Sequence, residues 1–157
     1  MRIVIQRVTE ASVSVKSRAD ASGCIGPGLV ALVGFQAGDD RSVVPWSADK
    51  LVRIRVFPDD QGRMNRSILE IPDGGMLLVP NFTVACTLGK GRRPSFDNAL
   101  PPDAARSIFE AFTAAVEAKL AGTGVTLATG VFGADMRVSI TNDGPVTFVL
   151  ESPTPPR

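Results

Sequence analysis

Apolar and polar residues alternate with period two through "RIVIQRV" and again through "ASVSVK", with Thr9-Glu10 between them. This pattern predicts two strands joined as an opening hairpin. "GLVALVGF" is a continuous apolar run bounded by glycines, the pattern of a buried strand. Asp39-Asp40 can cap a helix running toward Phe57, with Val44, Leu51, Val52, Ile54 and Val56 on its apolar side, while Pro45 blurs its beginning. "MLLVP" predicts a short central strand. The clearest helix is "PPDAARSIFEAFTAAVEAKLAG": prolines and Asp103 stand at its start, Ile108, Phe109, Phe112, Val116 and Leu120 share one face, and Gly122 follows it. Two more strand patterns, around 134–141 and 145–151, close the chain. Strands outnumber helices and the last pair returns long after the first. The expected class is α+β, an antiparallel, barrel-like sheet with two main helices.

At 157 residues the chain is long enough for one domain with a real core and too short for two ordinary ones. The expected boundaries are 1–151 for the domain and 152–157 ("SPTPPR") for a frayed tail. Its first residues, "MRIVIQRV", read as a strand and not as a signal peptide, and no apolar run reaches a membrane-spanning length. A cytoplasmic protein without a membrane partner is the expectation. Cys24 and Cys86 lie far apart with no CxxC spacing, which suits two free, buried thiols in a reducing compartment.

The absence of histidine narrows the chemistry more than any other feature. It removes Ser-His-Asp and Cys-His catalysis, the commonest transition-metal ligand, and the one side chain that ordinarily titrates near neutrality. An enzyme built from this chain needs another way to move protons. The net charge of +1 gives no global signal for nucleic acid, although charge can be arranged locally.

Three stretches can carry chemistry. In "VPNFTVACTLGKGRRPSF", residues 79–96, a strand runs into a glycine-containing basic loop where Lys90, Arg92 and Arg93 can meet phosphate, or simply be solvated. Thr83 at the strand end carries a hydroxyl, but the chain offers no histidine to activate it. In "FPDDQGRMNRSI" the pair Asp59-Asp60 suits a turn better than a metal site. In "GVFGADMRVSITNDGPVT" small residues and Phe132 can line a pocket or pack a core. Within that last stretch Asn142-Asp143-Gly144-Pro145 has the composition of a hairpin turn, and proline excludes an interior ladder position.

Taken in order, "MRIVIQRVTEASVSV", "GLVALVGF", "FPDDQGRMNRSI", "FTVACTLGKGRRPSF" and "GVFGADMRVSITNDGPVTFVL" resemble the D-aminoacyl-tRNA deacylases, the bacterial and eukaryotic type often called D-tyrosyl-tRNA deacylase. The resemblance spans residues 1 to about 151, and its most specific parts are the NxGPxT motif, Asn142 to Thr147, and the FGADM run before it. It implies a homodimeric hydrolase that cleaves the ester between a D-amino acid, or glycine, and the terminal adenosine of tRNA, with neither cofactor nor metal. It further implies that backbone groups around Pro80, Asn81, Phe82 and Thr83 do the catalytic work, helped by the ribose 2′-hydroxyl. Gly144 and Pro145 would reach from one subunit into the other's site, joined by a cis peptide, and enforce chirality. Phe132, Ala134, Met136, Asn142 and Thr147 would bind substrate, and Lys90, Arg92 and Arg93 the tRNA.

One departure bears on activity. The family usually carries Ser-Gln-x-x-Thr at the end of the central strand, where this chain has Pro80-Asn81-Phe82-Thr83. Asn81 keeps an amide on a shorter stem, and Pro80 loses a hydroxyl and a backbone N–H. An alternative reading is therefore a fold-sharing dimeric tRNA-binding protein with weak or altered deacylase scope. A third is a small-molecule esterase using Thr83.

Overall fold

The computed structural model describes residues 1–16, 18–89 and 91–153. Eight strands, two α-helices and two short 3-10 turns follow in the order β1 (Arg2–Val15), β2 (Arg18–Ile25), β3 (Gly28–Gly34), α1 (Val43–Arg53), β4 (Phe57–Pro58), β5 (Met64–Arg66), a 3-10 turn (Ile68–Glu70), β6 (Gly75–Pro80), a second 3-10 turn (Phe82–Ala85), α2 (Pro102–Leu120), β7 (Thr126–Thr129) and β8 (Met136–Glu151). The main sheet runs β2-β1-β3-β6-β7, with β8 on the other edge of β1. β1 pairs antiparallel with β2, β3 and β8, whereas β6 joins β3, and β7 joins β6, in parallel. The expected α+β, barrel-like class with two helices is what forms. Its sheet is mixed, because the stretches before β6 and β7 cross over through the helices and re-enter in the same direction.

The apolar run of β3 is buried on both faces for a definite reason. Leu29, Ala31 and Val33 pack with Ile3, Ile5, Met76 and Leu78 against α1 and α2. Val30 faces the other way, into a second cluster with Val8, Val13, Ile25, Leu77 and Val79, against which Val138 and Ile140 also lie. A strand sandwiched between helices and a barrel interior has no polar face to show.

Two expected hairpins are single long strands. β1 continues through Thr9-Glu10, and its apolar phase changes there: Ile3 and Ile5 face the helix-side core, Val8, Ala11 and Val13 the barrel interior. A bend that switches faces leaves the same local trace as a turn. β8 likewise runs unbroken from Met136 to Glu151, so the turn reading of Asn142–Pro145 does not hold. On β1 only Arg7 separates Gln6 from Val8, while on β8 four residues, 143–146, separate their partners Thr147 and Asn142. The result is a large bulge, a position where proline and a positive-φ glycine are tolerated within a strand. Across it β8 also changes face: Ile140 packs toward the barrel interior, Val146 and Leu150 toward the helix-side core.

α1 is shorter than the pattern predicts. It starts after Asp40, whose carboxylate accepts the Ser42 N–H at 2.8 Å, and ends at Arg53, so Ile54 and Val56 follow in extended chain. Pro45 sits in its first turn, where no donor is missed. α2 matches its predicted span, and Gly122 just beyond it has φ +76°. Cys86 is half-buried, but Cys24 is exposed, because the alternation Gly23-Cys24-Ile25 turns it outward while Ile25 enters the core. No helix among the described residues is long and apolar enough to cross a membrane.

Candidate functional site

The site begins where β6 runs out. Asn81 N–H donates to the Val33 carbonyl at 2.8 Å, so strand alternation turns the preceding nitrogen, that of Pro80, toward the β7 side. There the β6–β7 pairing ends at Leu78 and Thr129, where Pro80 has no N–H to carry the ladder on. Asn81 then caps the 3-10 turn over Phe82–Ala85: its Oδ1 accepts from Thr83 N–H at 3.1 Å and from the Thr83 hydroxyl at 2.7 Å. The threonine proton is thus directed at a neutral amide, not at a base. Phe82 N–H has no protein acceptor among the described residues.

The FGADM run meets this strand end from β7. Gly130 N–H donates to the Leu78 carbonyl at 2.8 Å, and a Cβ on Gly130 would stand 2.9 Å from Met136 Sδ and 3.2 Å from Pro80 Cδ. Glycine is what lets the 130–136 loop close onto Pro80. Phe132 is anchored on Phe109 at 6.0 Å between ring centroids, and Ala134 N–H donates to the Val131 carbonyl at 3.2 Å. Between the two segments lies a cleft of about 180 Å³ lined by Pro80, Phe82, Pro102, Phe132 and Gly133. Not one of these side chains ionises. A reaction held here must rely on main-chain dipoles, shape and the reactant's own groups.

Asn142, Gly144, Pro145 and Thr147 are outside that lining. The Gly144–Pro145 peptide is cis, both residues are exposed, and Gly144 has φ +118°. The bulge is pinned from behind by its own strand pair. Asn142 Oδ1 accepts from Gln6 Nε2 at 2.6 Å and from the Thr147 hydroxyl at 3.5 Å, and Arg7 Nε stands 2.8 Å from Asp143 Oδ2.

Of the basic loop residues, Lys90 lies outside the described residues, and Arg92 and Arg93 are exposed. Thr87 and Ser95 exchange backbone hydrogen bonds of 3.0 and 2.9 Å at the loop's neck. Next to the neck, Phe96 stacks on Phe82 with centroids 5.3 Å apart and an interplanar angle of 12°. The loop is therefore moored to a residue that lines the cleft.

The aspartates of "FPDDQGRMNRSI" do shape a turn. Asp59 Oδ1 accepts from the backbone N–H groups of Arg63 at 3.0 Å and Gln61 at 2.9 Å, and these bonds, Arg63's foremost, hold its carboxyl below the usual range. Asp60 pairs with Arg66. Pattern alone did not reveal Pro102, Gly133, Phe96, Arg7 or Arg106 as neighbours of these segments. Each acquires its place by tertiary contact, and only the positive φ of Gly133, +79°, has a local trace in its residue type.

A sequence model of the family described as D-Tyr-tRNA(Tyr) deacylase matches residues 4–151. The chain is 48% identical over 151 residues to the D-aminoacyl-tRNA deacylase of Pelobacter propionicus, covering 96% of this chain and 99% of that protein. It is 47% identical over 152 residues to the D-aminoacyl-tRNA deacylase of Teredinibacter turnerae, covering 97% and 100%. Among solved structures, a protein described as c-Myc DNA Unwinding Element Binding Protein superposes with a TM-score of 0.83 at 35% identity, over 98% of this chain and 99% of that one. A probable eukaryotic D-amino acid tRNA deacylase superposes with a TM-score of 0.79 at 17% identity, over 95% and 97%, a likeness of fold.

Proposed function

The chain belongs to the D-Tyr-tRNA(Tyr) deacylase family, and from that premise we propose that it hydrolyses the ester of D-aminoacyl-tRNA, releasing free amino acid and tRNA as a proofreading step of translation in the cytoplasm. The observation that carries the reading is a cleft at the end of β6 with no ionisable side chain on its walls, in a chain with no histidine. An activated ester is a substrate that such a cleft can handle. Its carbonyl needs polarising, which the uncommitted Phe82 N–H can do, and its attacking water can be oriented by the vicinal 2′-hydroxyl of the terminal ribose. The ring planes of Phe82 and Phe132 suit the faces of a terminal base.

In this reading the catalytic set is the main chain of Pro80, Asn81, Phe82 and Thr83. Phe132, Ala134 and Met136 form the wall for the terminal nucleotide, and Asn142 and Thr147 hold the bulge that meets the acyl group. The protein works as a homodimer. Gly144 and Pro145 are solvent-facing in the protomer and absent from its own cleft, and Phe148 and Val149 further along β8 are exposed apolar residues, 39% and 62%, as an interface strand would present. Main-chain carbonyls of that bulge, set against the substrate α-carbon of the opposite subunit, exclude an L side chain by collision and leave D-aminoacyl and glycyl esters as substrates.

Relatives named for deacylation over nearly their whole length do not favour the alternative of a binding protein that has lost hydrolysis. The esterase reading is weakened by the Thr83 hydroxyl, which is spent on Asn81. The test is release of amino acid from D-aminoacyl-, L-aminoacyl- and glycyl-tRNA. Cleavage of the D and glycyl esters with the L ester spared is expected, and binding without cleavage of any ester would overturn the assignment. For the dimer, re-forming a Gly144→Ala chain with an excess of a Phe82→Ala chain should restore D-over-L discrimination if each site draws on both subunits.

A further inference from the structure

Phe132 is a wall of two hollows. One is the cleft beside Pro80 and Phe82; the other is a larger groove of about 460 Å³ that runs along α2 past Thr113 and Glu117. Arg106 stands in that groove next to Phe132, exposed, with its guanidinium carbon 4.9 Å from the ring centroid. A planar cation on an aromatic face is held in orientation without using its N–H donors. Gly133 provides the seat, since a Cβ there would stand 3.4 Å from Arg106 Nη2.

No ordinary structural partner accounts for this placement. Glu110 lies one helical turn on, at a spacing that often makes ion pairs, yet no carboxylate among the described residues pairs with Arg106. Its one hydrogen bond among the described residues is a long one, 3.5 Å from Nη1 to the Phe132 carbonyl. The guanidinium thus lies over one face of the ring and short of acceptors, beside the residue that walls both the small cleft and the long groove.

We propose, resting on the deacylase reading above, that Arg106 binds the phosphodiester joining the terminal nucleotide of the tRNA to its neighbour, and that the groove along α2 carries the strand away from the cleft. A polynucleotide whose last base lies against Phe132 must leave the cleft past that ring, and the first phosphate behind the base then comes within reach of the arginine fork. Glu110 and Glu117 further along the groove oppose additional phosphates. One phosphate is gripped, and the strand beyond it meets the groove through ribose hydroxyls and bases.

The test uses stable amide analogues of D-aminoacyl-adenosine, one with a bare 5′-hydroxyl and one with a methyl phosphodiester there, alongside turnover of D-aminoacyl-tRNA. The intact protein should bind the phosphodiester form about tenfold more tightly, a preference that Arg106→Gln abolishes and Arg106→Lys partly keeps. On D-aminoacyl-tRNA, Arg106→Gln should raise KM by a similar factor, leave kcat within about twofold, and lower the salt slope by about one. Equal affinity of the intact protein for the two analogues would overturn the proposal. So would a variant that weakens both equally, which would mean that Arg106 merely supports Phe132. If no ester is cleaved while the phosphate preference and its loss are seen, the deacylase reading fails and the phosphate site stands.

Discussion

Arg7 Nε stands 2.8 Å from Asp143 Oδ2 while Arg7 Nη1 donates to the Val56 carbonyl at 2.6 Å, so one largely buried guanidinium ties the β8 bulge to the chain that follows α1. Gly144 rests on the same group: a Cβ there would stand 3.3 Å from Arg7 Nη2 and only 2.6 Å from Val146 Cγ2. β1 thus sets this arginine behind the four residues of the bulge.

Two substitutions probe that support. Arg7→Ala leaves Asp143 and the Val56 carbonyl without their partner, at a cost of about 1–3 kcal/mol, and frees the bulge to move. Gly144→Ala puts a side chain on a residue at φ +118° with no room for it. Both should fold, with a lowered Tm, and both should lose discrimination between D- and L-aminoacyl-tRNA by about tenfold or more, on the scale of a clash of a few kcal/mol relieved. Parallel D/L rate ratios and thermal melts check this, and an unchanged ratio in both variants would count against the bulge as the chiral filter.

The helices, β3 and β6 were legible because each is specified locally, by a period, a cap or a bounding glycine, whereas the FGADM loop was marked by the family resemblance alone. The bulge was not legible from local pattern. Asn-Asp-Gly-Pro has the same composition in a tight turn and in a bulge, and the difference lies in whether another strand continues to pair on both sides. Here β1 does, from Val15 back to Arg2. The same holds for Thr9-Glu10, where a change of buried face inside one strand imitates a turn. Arg106 and Arg7 carry no sequence mark, since an arginine stacked on a ring or threaded behind a bulge looks in sequence like any solvated one.

Thr83→Ala should lower the rate by no more than a few-fold. The hydroxyl donates to Asn81 Oδ1 at 2.7 Å, and the chain has no histidine to receive its proton. The Thr83 N–H bond to Asn81 survives the change, so the turn should hold. Single-turnover hydrolysis of D-aminoacyl-tRNA measures this; total loss in a folded, tRNA-binding variant would reinstate a side-chain nucleophile.

Replacing Lys90, Arg92 and Arg93 with glutamine should weaken tRNA binding and flatten its dependence on salt, by roughly one slope unit for each phosphate no longer neutralised. The loop neck adjoins Phe96, which is stacked on Phe82 of the cleft wall, so the loop that carries Arg92 and Arg93 is tied to the cleft. Binding titrations over a range of salt concentrations decide the matter, and a slope equal to the parent's would return the loop to ordinary solvated surface.

Asp49 links the two helices, accepting from Lys119 Nζ at 2.8 Å and from Arg53 Nε at 3.1 Å. The Lys119 hydrogen bond first, then that of Arg53, lowers its carboxyl below the ordinary 3.8. A carboxyl whose folded value is depressed stabilises above its unfolded value and ceases to do so as pH falls through the folded one. Asp49→Asn should therefore cost a small amount of Tm at pH 7, and the gap from the parent should close as the pH drops below 3.8. Because the carboxylate is only half-buried, the gap should also shrink in high salt.

Pro80→Ser is the sharpest change to make at the strand end. The Pro80 nitrogen faces the β7 side just beyond the last Leu78–Thr129 pair, so a serine there restores an N–H at the strand end, beside the cleft that residue 80 lines. Serine also adds a hydroxyl to a wall that has none. Asn81→Gln acts differently: its longer stem draws the amide away from Thr83, and loss of that cap costs about 0.5–2 kcal/mol. The expected order of activity on D-aminoacyl-tRNA places Pro80→Ser and the double change to Ser-Gln above the parent, with Asn81→Gln alone less stable and no faster. The measurements are kcat/KM for each variant and a melt for each. If Pro80→Ser is neutral or harmful while the fold is intact, the cleft already completes its donor set through Phe82, and the proline belongs to a pocket adapted around it.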